Sequence, residues 1–264
     1  MTGTFLENAL NEKITQGAKL FIPYIMAGDG GLENLEERIQ LLADAGASAI
    51  ELGIPFSDPV ADGPTIQAAG QRALAASTTL KDVFATLQQF KTKSPVPLVF
   101  MTYINPIFKY GVDAFFAACA QAGVSGIIIP DLPIEEEGLV QAPCQKHDIA
   151  LIRLAAMTST ADRIATITKR AEGFLYAVSV TGTTGARAKH SENTGAYLEN
   201  LKRISPVPVL AGFGVSTAAQ AQQLGSHCDG VIVGSKIVQL FHDGDTEAIR
   251  SLIQASTQIK TTRA

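Results

Sequence analysis

The sequence has no tryptophan, three cysteines, four histidines and no block of like charges, and each scarcity excludes something. Cys119, Cys144 and Cys228 lie far apart and match no metal or redox spacing, so they read as reduced thiols of a cytosol-like compartment. His147, His190, His227 and His242 are scattered away from strand ends, which argues against a metal site. The 21 basic and 25 acidic side chains leave a net charge of −4 without a basic stripe, so nucleic acid has no electrostatic footprint to bind. No apolar run reaches the roughly 18–20 residues that span a bilayer. The opening MTGTFLENALNEK lacks an apolar signal core, and its acids argue against a transit peptide. A cytoplasmic protein with neither membrane nor nucleic-acid partners is expected.

What is present is an alternation. Short β-branched and aromatic runs, LFIPYIM (20–26), SAIEL (48–52), PLVFMT (97–102), SGIIIP (125–130), ALIRL (150–154), FLYAVS (174–179), VPVLAG (207–212) and DGVIVG (229–234), are separated by amphipathic stretches. The runs are continuously apolar, as parallel strands covered on both faces must be. Between them, helical patterns such as LENLEERIQLLADAG, LKDVFATLQQF, VDAFFAACAQAG, EEEGLVQAPCQKH and TADRIATITKR predict the covering layer. Eight such units predict an α/β fold, a (β/α)8 TIM barrel. The competing doubly wound sheet wants a G-x-G-x-x-G turn after its first strand, and MAGDGGLEN lacks that spacing. Barrels of this kind commonly run to 264 residues as one domain, and no linker-like stretch divides the chain. The expected organisation is a single domain over residues 1–264, with a short N-terminal helix and inserted loops after strands two and six.

Catalytic groups in such barrels sit at the C-terminal ends of strands and in the loops that follow. Glu51 closes the second strand inside apolar SAIELGIPF. Burial of a lone carboxylate raises its pKa, as a general acid–base needs near neutrality. A structural ion pair with Arg153 on the fifth strand is an equal alternative. The next loop, PFSDPVADGPT, carries Asp58 and Asp62 on a turn stiffened by Pro55, Pro59 and Pro64. Glycine-rich VTGTTGAR (180–187), AGFGVS (211–216) and VGSKIV (233–238) follow strands six, seven and eight, where barrels commonly cradle phosphate. Lys109 and Lys236 lie beyond strand ends and no lysine lies within a strand, which disfavours Schiff-base chemistry. Carboxylate acid–base chemistry on a phosphorylated substrate remains.

ELGIPFSDPVADGPTIQAA (51–69) closely resembles the signature of the tryptophan synthase alpha subunit family, and FIPYIMAGD, FMTYINPIFKYG, GIIIPDLPIEE, YAVSVTGTTGAR, LAGFGVS and DGVIVGSKIV follow in order. The likeness covers residues 5 to 255. It implies a lyase of tryptophan biosynthesis that reversibly cleaves indole-3-glycerol phosphate to indole and glyceraldehyde 3-phosphate. By the resemblance, Glu51 and Asp62 are catalytic. Gly185, Gly214, Gly234 and Ser235 match phosphate-binding positions, and Thr184 matches a loop threonine that orients Asp62. Tyr176 matches a tyrosine near the active site, and Tyr24, Leu154 and Phe213 match positions around the indole pocket. Asp58 matches a surface for a β subunit, which would carry pyridoxal phosphate in an α2β2 tetramer; no cofactor or metal is implied in this chain. The sequence departs from the family pattern at Thr183, where valine is usual, at Gly30, where proline often follows the aspartate, and at Met157, where proline is common. A free-standing lyase and a non-catalytic regulatory barrel are the other readings. Intact Glu51 and Asp62 argue against the second.

Overall fold

The computed structural model describes residues 4–91, 93–179 and 187–257, and among them eight parallel strands close into a barrel in sequence order. β1 (Leu20–Met26), β2 (Ile50–Gly53), β3 (Leu98–Met101) and β4 (Val124–Ile128) form one half. β5 (Ala150–Ala156), β6 (Leu175–Val178), β7 (Val209–Gly212) and β8 (Gly230–Val233) form the other, and β8 returns to pair with β1. The expected runs all form strands, shifted by a few residues at their ends.

Around the barrel run α1 (Thr4–Thr15), α2 (Leu35–Asp44), α3 (Pro64–Ala75), α4 (Leu80–Gln88), α5 (Ile104–Tyr110) and α6 (Val112–Gln121). The second half carries α7 (Gln141–Lys146), α8 (Ala161–Lys169), α9 (Arg187–Ile204), α10 (Ala218–His227), α11 (Ser235–His242) and α12 (Thr246–Thr257). The helical pattern over 135–147 divides into a 3-10 turn, Ile134–Leu139, and α7. Pro143 explains the break: its ring is tolerated only in a helix's first turn, so α7 cannot extend far back through it.

Alternation along each strand sorts residues into two cores. Leu20, Ile22, Val99, Ile152, Phe174 and Leu210 point inward and fill the barrel. Phe21, Ile25, Leu52, Phe100, Ile127 and Leu151 point outward against the helices. Helix α1 supplies Leu6 and Leu10, four residues apart on one face and fully buried, to the inner core. The Glu7 carboxylate accepts the Gly173 N–H at 2.9 Å and ties α1 to the chain entering β6.

Candidate active site

Glu51 of β2 faces inward like Ala49, the residue before the strand, and stands in register with Tyr24 of β1 and Val99 of β3. It is 1% exposed, and its Oε2 has no hydrogen-bond partner. Burial, with the Asp62 charge as a smaller push in the same direction, raises this carboxyl to about 8. The ion-pair alternative fails on strand parity. Arg153 lies between inward Ile152 and Leu154 and therefore points outward, where its Nε and Nη2 donate to Glu137 at 2.8 and 3.0 Å. Among the described residues, Glu51 is left without a cation.

Asp62 comes from the loop between β2 and α3. Its N–H donates to the Pro59 carbonyl at 3.0 Å, and its own carbonyl accepts from the Gln67 side chain at 2.9 Å. Burial raises its carboxyl to about 6, against the lowering effect of a hydrogen bond from Tyr103. The Tyr103 hydroxyl also accepts the Ala61 N–H at 3.0 Å, and its ring packs on Phe56 with centroids 5.3 Å apart. The segment FMTYINPIFKYG contains this tyrosine, but nothing in the sequence alone assigned it a role. Its place just past the end of β3 was the available signal.

Glu51, Asp62, Tyr24 and Tyr176 line a cavity of about 490 Å³ together with Gly214, Gly234 and Ser235. Leu154 faces inward on β5, in register with Tyr176, and also borders a neighbouring cavity, while Phe213 sits between Gly212 and Gly214 of the cavity wall and packs against the core between barrel and helices. Thr184 and Gly185 lie outside the described residues, as does Thr183. Thr65, Ile66, Met101, Val215, Ser216, Lys236 and Gln239 also line the cavity, and the sequence alone gave none of them a place in it.

Both tyrosines need a missing side chain beside them. A Cβ on Gly53 would lie 1.9 Å from the Tyr24 hydroxyl, and one on Gly212 would lie 2.3 Å from the Tyr176 ring. Burial pushes both phenols well above their ordinary range, Tyr24 with Asp62 and then Glu51 as further causes, Tyr176 with Glu51 and then Asp62. They stay neutral and can act only as neutral hydrogen-bonding groups.

The absent proline after Asp29 also has a structural counterpart. Gly30 sits at φ 80°, which proline, locked near φ −65°, cannot adopt. The loop is held instead by Arg72, which grips the Asp29 carboxylate at 2.7 and 2.8 Å, and by Arg38 on the Asp29 carbonyl. At the third departure, the Met157 sulfur lies 3.9 Å from the Thr194 hydroxyl on α9.

The family described as tryptophan synthase alpha chain matches residues 10–264. The chain belongs to that family. The tryptophan synthase alpha chain of Oceanobacillus iheyensis is 62% identical over 251 residues, covering 95% of this chain and 96% of the relative. That of Bacillus cereus is 50% identical over 242 residues, covering 92% and 94%. Among solved structures, the Legionella pneumophila tryptophan synthase alpha subunit superposes with a TM-score of 0.86 at 35% identity, covering 97% of both chains. A chain of Mycobacterium tuberculosis tryptophan synthase gives a TM-score of 0.86 at 34% identity, covering 95% and 96%. As a tryptophan synthase alpha chain, the protein is a lyase that cleaves indole-3-glycerol phosphate to indole.

Proposed function

We propose that Glu51 and Asp62 carry this cleavage in unequal roles. The observation behind the assignment is the buried, unpartnered Oε2 of Glu51 in the same cavity as an Asp62 held by Tyr103. Near neutral pH Glu51 holds a proton and Asp62 does not, because their values are about 8 and about 6. Glu51 delivers its proton to ring carbon 3 of the indole, and the ring nitrogen becomes an iminium. Asp62 stabilises that charge through the N–H. The Glu51 carboxylate then takes the proton of the adjacent side-chain hydroxyl. The carbon–carbon bonding pair flows back into the ring, indole leaves, and the hydroxyl carbon becomes the aldehyde of glyceraldehyde 3-phosphate. Glu51 ends protonated, ready for another turn. Backbone N–H groups at Gly214, Gly234 and Ser235 hold the phosphate, and this remote binding keeps the indole in register.

The indole passes to a β subunit in an α2β2 assembly. Val60 on the β2–α3 loop and Phe108 on α5 support this reading: they are 74% and 46% exposed, large apolar side chains beside the C-terminal mouth. Asp58 lies on the same loop. A chain of this fold occurs in solved tryptophan synthase structures from M. tuberculosis, one of them aminoacrylate-bound. The condensation of indole with serine belongs to the β partner, which carries pyridoxal phosphate. This chain's residues only release and orient the indole.

Glu51→Gln is the test. Indole release from indole-3-glycerol phosphate falls by roughly 10²-fold or more, the loss typical of a removed acid–base group; unchanged release would overturn the assignment. The same variant carries a stability signature that reports intact folding. The folded carboxyl titrates at about 8 against an ordinary 4.5, so between those values the folded chain holds a proton the unfolded chain lacks. This group's contribution to stability therefore falls as pH rises through that window. Glu51→Gln is spared that loss and gains in Tm over the wild type more at pH 9 than at pH 5.

A further inference from the structure

Lys236 is the second residue of α11, half-buried, and it lines the cavity beside Gly234, Ser235 and Gln239. Among the described residues that line this cavity it is the one basic side chain, in a space that already holds the carboxyls of Glu51 and Asp62. No acid pairs with it among the described residues, although Arg72, Arg153, Arg163, Arg170 and Lys202 all find carboxylate partners. Its position is electrostatically wrong for the resting protein. The first turn of a helix is the positive end of the dipole, where a cation is disfavoured. The N-cap residue of α11, Gly234, brings no side chain to satisfy the first N–H groups. Lys236 and the uncapped start of α11 therefore border the same cavity, and among the described residues no carboxylate is ion-paired with the lysine. The buried, unpartnered Oε2 of Glu51 on the same cavity shows independently that the wall is shaped for a ligand.

We propose that Lys236 is a specificity-determining residue that answers the charge of the substrate's phosphate group. The inference rests on reading the cavity as the indole-3-glycerol phosphate site. A phosphate monoester carries close to two negative charges near neutral pH, its second pKa being about 6. Backbone N–H groups are neutral donors and leave that charge uncompensated beside Asp62. The lysine ammonium, a compact charge on a flexible stem, supplies the compensation where the N–H groups already point. Its role is to hold the phosphorylated end, and it takes no part in the proton transfers.

The experiment compares wild type, Lys236→Gln, Lys236→Met and Lys236→Arg. The removal of one charge-assisted contact is expected to raise KM for indole-3-glycerol phosphate about tenfold in the Gln and Met variants, with kcat within about twofold. Inhibition by glycerol 3-phosphate weakens by the same factor, binding of uncharged indole does not change, and Lys236→Arg recovers most of the loss. Because Met keeps the apolar stem, agreement between Gln and Met separates charge from packing. Unchanged KM and glycerol 3-phosphate inhibition in both variants would overturn the inference while leaving the site reading intact. Equal weakening of indole and glycerol 3-phosphate binding would also overturn it. A wild-type chain that neither releases indole nor binds glycerol 3-phosphate would instead bring down the site reading itself.

Discussion

The Tyr103 hydroxyl accepts the Ala61 N–H and donates to Asp62, and this donation opposes the burial that raises the Asp62 carboxyl. Among the described residues Glu51 has no such donor, so burial acts on it unopposed. Two carboxyls in one cavity are thereby driven apart, to about 8 and about 6. An active form with Glu51 protonated and Asp62 ionised gives kcat/KM a bell-shaped pH profile with limbs near those values, which belong to the interacting pair. Tyr103→Phe removes a donor to the ionised form of Asp62. The acid limb then moves to higher pH while the alkaline limb stays close to its place, and activity at pH 6.5 falls further than activity at pH 7.5. A profile of kcat/KM from pH 5 to 9 checks this, and an unmoved acid limb would detach Tyr103 from Asp62.

At the scale of elements, β5 is joined to the covering layer by Arg153. Its guanidinium holds Glu137 from the 3-10 turn, donates to the Arg170 carbonyl after α8, and lies 3.9 Å from Glu172. The side chains of Arg153 and Glu137 are only 4% and 6% exposed, so removing one partner strands a buried charge. Glu137→Ala is expected to cost about 3–5 kcal/mol of stability, seen as a fall in denaturation midpoint. Replacing both residues, Glu137→Leu with Arg153→Met, recovers most of that loss. Indole release per folded molecule is retained in both cases, because the pair lies outside the barrel wall and Glu51 inside it.

For the whole molecule, α1 fills one end of the barrel with Leu6 and Leu10, and the open end carries the cavity and the exposed Val60 and Phe108. On the proposed reading, substrate entry, indole exit and partner docking share one face. Adding a β subunit should raise indole release by the isolated chain, roughly 5- to 150-fold for a coupling of ordinary size. Steady-state turnover with and without the partner measures it. Full activity of the chain alone, unaltered by the partner, would favour the free-standing lyase.

The sequence by itself determined the barrel. Eight continuously apolar runs must be covered on both faces, and parallel strands between helices are the arrangement that does so. It also marked Glu51 and the glycine-rich strand ends, because a lone acid in SAIELGIPF and repeated glycines stand out against apolar surroundings. It could not decide between catalysis and an ion pair with Arg153, since strand direction around a closed barrel is needed to see that the two side chains lie on opposite faces. It left Tyr103 and Lys236 unassigned, because their neighbours, Ala61 with Asp62 and Gly234 with the cavity wall, become informative only once β2, β3 and β8 deliver their ends to one mouth. Leu154 and Phe213 were placed by resemblance at the indole pocket; the fold sets Leu154 inward beside Tyr176 and Phe213 between two glycines of the cavity wall. Local composition carries periodicity and chemistry. Which groups share a cavity, and which carboxyl is left without a partner, depends on contacts between residues far apart in the chain, and only the tertiary structure supplies those.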